Sequence, residues 1–131
     1  MLNPESFARR VFFGAAVYGV LMLLPQYFLR EAMDKLFPPP INHLEHFYGF
    51  VGVALAWQLA FLAIAREPLR LRPVMIAAAA EKLLFSGSSL VLIGLGQVPA
   101  ILAIVALVDL ALGVLFTVSY GRLAGRPETA P

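Results

Sequence analysis

The chain has 131 residues, 60% of them apolar and 14% charged, with a formal charge of +2 and no cysteine. A soluble domain carries about 25% charged residues, so this composition excludes a soluble globule. The lack of cysteine excludes disulfides, thiolate metal sites, cysteine-linked haem and dithiol redox chemistry within the chain, and no cofactor is predicted.

Four apolar runs, at 7–29, 44–65, 73–95 and 98–120, are separated by short charged clusters. Each reaches the roughly 20 residues that a helix needs to cross a hydrocarbon core about 30 Å thick. Period-two alternation, which a membrane barrel would require, is missing. The connections are short, so neighbouring helices must run antiparallel. The expected fold is therefore all-α: an antiparallel four-transmembrane-helix bundle forming one domain over 1–120, followed by a disordered cytoplasmic tail at 121–131.

In chain order, Asn3-Pro4-Glu5 supplies a cap, a first-turn proline and a first-turn acid, which predicts a helix starting ahead of the membrane. Arg9-Arg10 followed by an apolar run resembles a twin-arginine export signal, but no small-residue cleavage site follows, so the first helix is read as retained. Pro25 is expected to kink or end it. Between Gln26 and Phe37 the apolar Phe28, Leu29, Ala32, Met33, Leu36 and Phe37 alternate with charges at helical spacing, which predicts a short amphipathic helix in the interface. Pro38-Pro39-Pro40 stops it with a stiff link.

The second span opens with Asn42 and Glu45 in capping-box spacing. Gly52, Ala56 and Ala60 then form a small-residue stripe on which another helix, from this chain, a second copy or a larger membrane complex, can approach closely. At the span ends and in the connections, seven arginines at 9, 10, 66, 70, 72, 122 and 126 lie on one side against Arg30 and Lys35 on the other. This bias predicts both termini in the cytoplasm of a multi-pass membrane protein. The basic residues read as topology signals, with no nucleic-acid patch; the partner they imply is the lipid bilayer.

The residues with chemistry lie inside the spans. A charge at the bilayer centre costs about 2.5–3.5 kcal/mol, so Glu81, Lys82 and Asp109 must face protein, water or each other. At about 1.5 Å per residue, Glu81 lies roughly 12 Å and Asp109 roughly 16 Å from the cytoplasmic end. Tyr18 and Gln58 fall near the same depth. A polar layer of Tyr18, Gln58, Glu81, Lys82 and Asp109 follows, with a formal charge of minus one. Two readings remain open: a network that sets helix register, or a site that handles a proton or binds a small ligand. Ser86 and Ser89 follow the Lys82 face and Ser88 the Glu81 face, which favours a cavity beside this helix.

His43 and His46 form a second group, at the outer end of the second span. They share a helix face, and Glu31, Asp34 or Glu45 offers a third donor. The favoured reading assigns Glu45 to the cap and no metal to the histidines, with an inward-pointing His46 as an alternative gate for protons. Deep in the same span, Trp57 reads as packing or, with Phe47, Tyr48, Phe50 and Phe61, as the wall of an aromatic pocket.

The run Phe47-Tyr48-Gly49-Phe50-Val51-Gly52-Val53-Ala54-Leu55-Ala56, the basic turn Arg66-Glu67-Pro68-Leu69-Arg70-Leu71-Arg72 and the motif Asp109-Leu110-Ala111-Leu112-Gly113 resemble the DoxX-like group of small bacterial four-helix membrane proteins. The resemblance implies an inner-membrane four-helix protein, sometimes linked to quinone-side redox systems, and transfers no catalytic residue. Two further classes remain as alternatives: an accessory subunit of a larger membrane complex, and a small multidrug-type exporter, although those carry their glutamate in the first helix. No catalytic residue is assigned, and a non-enzymatic role is preferred.

Overall fold

A computed structural model describes residues 3–127. The described chain is all-helical: α1 (Pro4–Leu23), α2 (Arg30–Leu36), α3 (Leu44–Arg66), α4 (Val74–Gly94) and α5 (Ala103–Arg122). Four of these, α1 with its extension to Tyr27, α3, α4, and α5 with the short turn before it, are long and apolar enough to cross a membrane.

Local chemistry explains most of the boundaries. The Asn3 side chain accepts from the Glu5 amide at 3.2 Å with Pro4 in the first turn, so α1 starts where the cap sits. At its other end Pro25 lacks an amide hydrogen, and the chain tightens into a 3₁₀ turn over Leu24–Tyr27. Gly96, at φ +69°, closes α4 by letting the Gln97 amide reach back to the Leu92 carbonyl and its own amide reach Ile93. Only glycine adopts that backbone without strain.

Helix α1 packs mainly on α3 and α4 mainly on α5, with α1 also touching α5, whereas α3 and α4 meet sparsely. The result is one dense end and one open end. At the arginine-rich end Phe12, Phe61 and Phe116, from three helices, pack ring on ring, with centroids 4.1 Å apart for Phe12 and Phe116 and 5.0 Å for Phe61 and Phe116. Ala8, Ile64, Met75, Ala78 and Leu123 complete this core. Arg72 ties the turn between α3 and α4 to α5 by donating to the Tyr120 carbonyl at 3.0 Å while lying over its ring.

Several expectations are revised. His43, rather than Asn42, is the N-cap of α3 and its side chain makes no cap hydrogen bond, so the expected capping box does not form. Ala56 is exposed and Gly52 and Ala60 are half-buried. The buried face of α3 is instead Val51, Ala54, Gln58, Phe61 and Ile64, because α1 presents the small Ala15, Ala16 and Gly19, which leave room for larger side chains such as Gln58 against Gly19. The tail begins later than expected: Gly121 and Arg122 continue α5 and Leu123 is buried in the core. Residues 128–131 of that predicted tail lie outside the described residues.

Candidate functional site

The open end contains a cavity of about 550 Å³. Its upper walls are Leu21, Met22 and Leu23 of α1, Phe50 and Ala54 of α3, Phe85 of α4, and Leu102 and Val105 at the start of α5. Leu29, Met33 and Phe37 cover it from the α2 segment. These three positions are spaced four apart, so one stripe of α2 and its two flanking residues faces the cavity, with Leu29 still 53% exposed at its edge and Phe28 and Leu36 more exposed. Within α2 Arg30 bridges Asp34 at 3.0 Å, and Asp34 ties the helix to the chain beyond the proline link by accepting the Ile41 amide at 2.8 Å.

The inner end of the cavity is polar. Tyr18, Glu81, Lys82, Ser89 and Asp109 all line it. Lys82 Nζ donates to Asp109 Oδ2 at 3.1 Å, joining α4 to α5, and lies 3.6 Å from Glu81 Oε2. Adjacent helix positions point about 100° apart, so Glu81 and Lys82 converge only because the lysine stem bends back. The pairing is unequal: Asp109 receives the hydrogen bond, whereas Glu81 Oε2 is buried with no hydrogen-bond partner. Beneath the ammonium, 5.6 Å away, lies the Phe61 ring of the aromatic core. The cavity thus ends on a charged floor sealed from the arginine-rich end by packed aromatic rings.

The other sequence candidates separate from this group. Gln58 does not line the cavity; its Nε2 donates to the Ala54 carbonyl at 2.8 Å and its buried Oε1 packs against Gly19. It is a packing contact between α1 and α3. Ser86 turns back to the Leu83 carbonyl, and Ser88 is exposed. His46 is exposed and does not point inward. Glu45 lies 3.1 Å from His46 and 3.5 Å from His43, so these three come together on an exposed turn at the open end. Glu31 and Asp34 are not part of that group, since Asp34 is engaged by Arg30 and Ile41. Of the aromatic candidates, only Phe50 lines the cavity; Tyr48 stacks on Tyr27, and Trp57 packs beside Phe61.

Sequence reasoning missed the roof and walls, Leu29, Met33, Phe37, Phe85, Leu102 and Val105. The spacing of the first three was visible, but that stripe is equally suited to lipid. The others are ordinary apolar residues whose role comes from the space they enclose.

The chain matches no known family model, no curated protein and no solved structure, so the use of this cavity has to be argued from its own residues.

Proposed function

We propose that this is a DoxX-like protein of the bacterial inner membrane, an antiparallel four-helix bundle that binds a small lipophilic ligand and anchors its polar group at Glu81, Lys82 and Asp109. The observation that carries the reading is a largely apolar cavity that ends on buried charged residues. Apolar walls with a few convergent polar groups are the usual make-up of a small-molecule site. Ionised together, the three groups sum to minus one. A proton on Glu81, or a cationic group of the ligand beside it, offsets that charge, which ties occupancy to proton handling. In this reading α2 lies in the outer interface as a cover, and both termini are cytoplasmic.

Cysteine accessibility tests the orientation, since the native chain has no cysteine. Pro39→Cys, Gln97→Cys and the cavity residue Ser89→Cys should react with a membrane-impermeant maleimide applied outside intact cells, and Leu69→Cys should not. Labelling at 69 with protection at 39 would invert the proposed topology.

Occupancy is tested by purification in a mild detergent, solvent extraction and mass spectrometry. The wild type should yield a lipophilic species that Leu102→Trp, which crowds one wall of the cavity, and Glu81→Gln both retain less well. An equal yield from Leu102→Trp would reject the cavity as its place of binding.

A second reading has one observation of its own. Ala56 and Ala63 are exposed on α3 with Ala60 half-buried, so this small-residue face is open to a helix of another chain, as an accessory subunit would require.

A further inference from the structure

A second concavity lies at the opposite end from the cavity and is independent of it. It is a groove of about 470 Å³ between the start of α1 and the end of α3, lined by Arg9, Arg10, Phe13, Leu62, Ala65 and Arg66. Arg9 is fixed by its neighbours: its guanidinium donates to the carbonyls of Ala65 and Arg66, which the end of α3 leaves without helical partners. The same side chain lies 3.7 Å from Glu5, among the described residues the one acidic group within ion-pair distance of it. Glu67, which follows Arg66 in the chain, is taken by Arg70. Among the described residues, no acidic side chain pairs with Arg10 or Arg66. Below the three guanidiniums, Phe13 is 58% exposed on the helix face turned away from the core, with Leu62 beside it.

Positive charge above an exposed apolar slot, at the end of two membrane-length helices, has the chemistry of an acidic phospholipid turned inside out. We infer that this groove binds one anionic phospholipid, its phosphate against Arg10 and Arg66 with Arg9 behind them, and an acyl chain along Phe13 and Leu62. Guanidiniums suit the site because their planar donor fork matches phosphate oxygens in pairs. A basic groove between helices at a membrane surface is a known form of headgroup recognition. Arginines that only set topology need no fixed geometry and no apolar slot beneath them.

The test uses the full chain in neutral detergent, with thermal unfolding and native mass spectrometry as readouts and phosphatidylglycerol, phosphatidylcholine or inorganic phosphate added in turn. Phosphatidylglycerol should raise Tm and remain bound, and the other two should do neither. Each arginine near an anionic headgroup is worth about fivefold in binding, so Arg10→Gln/Arg66→Gln should weaken retention roughly 25-fold. Arg9 is left intact in this variant because it braces the end of α3. If the double variant fails to fold, Phe13→Glu at an exposed position serves instead and should abolish the phosphatidylglycerol response. An equal response to phosphatidylcholine would reduce the groove to a nonspecific apolar slot, and an equal response to inorganic phosphate would make it a free-anion site; either result overturns the inference. Undiminished retention by the variant that folds would do the same.

Discussion

Lys82→Met alone should destabilise the protein by about 3–5 kcal/mol, because it leaves two buried carboxyls without their cation. Removing both members of a buried pair often costs little, so Lys82→Met/Asp109→Asn should recover most of the loss. Lys82→Met/Glu81→Gln should recover less, since Asp109 takes the 3.1 Å hydrogen bond and Glu81 stands 3.6 Å away. Thermal unfolding in detergent of the three variants and the wild type decides the matter. A harmless Lys82→Met would mean that the ammonium escapes to water and that the charged floor does not exist; equal rescue by both doubles would make the two carboxyls equivalent. The outcome bears directly on function, because the carboxyl less tied to Lys82 is the one free to meet a ligand or a proton.

A second large effect is expected where α1 crosses α3. A methyl group added at Gly19 would lie 2.0 Å from Gln58 Oε1 and 2.3 Å from Gln58 Cδ, so Gly19→Ala forces a buried, hydrogen-bonded side chain to move. Overpacking of this kind costs about 1–3 kcal/mol. Gly14, on the same helix, has nothing within 4 Å of its added methyl, and Gly14→Ala should stabilise slightly, by about 0.5–1 kcal/mol, through helix propensity alone. The two substitutions should therefore shift Tm in opposite directions. In a double-mutant cycle, Gly19→Ala and Gln58→Ala together should cost less than the sum of the two. Simple addition would show that Gln58 swings aside freely and does not fix the crossing.

Much of the helical plan is legible in the residue order because it depends on local chemistry. Asn3-Pro4, Pro25, Pro38-Pro39-Pro40 and Gly96 act through their own φ angles and donors, and their effects stay within a turn of where they stand. One local expectation that failed, a capping box at Asn42 and Glu45, failed for a local reason. Glu45 has a choice between the α3 start and two neighbouring imidazoles, and in the folded chain it lies against the imidazoles.

What lies beside what across the helices was only partly legible. Common depth grouped Tyr18, Glu81, Lys82 and Asp109 correctly, because depth follows from counting residues at a fixed rise. The same count also admitted Gln58, which depth alone cannot separate from the others; its rotation about α3 turns it toward Gly19 and away from the cavity. Rotation likewise decided the small-residue stripe. Gly52, Ala56 and Ala60 suit a helix crossing, yet α3 presents Ala54 and Gln58 to α1, since the crossing is chosen by the best fit of two surfaces and not by one.

By itself, then, the sequence determined the all-helical class, the number of membrane-length segments and the demand that its intramembrane charges be sheltered, all consequences of composition and chain-local physics. Tertiary structure alone decided that Asp109 is the closer partner of Lys82, that a cavity reaches them from one end, and that packed Phe12, Phe61 and Phe116 close the other. The physical reason is that a void, a seal and an ion pair are each made by several helices at once. Each depends on how the helices turn about their axes, which apolar sequence leaves nearly free when every face is acceptable to lipid.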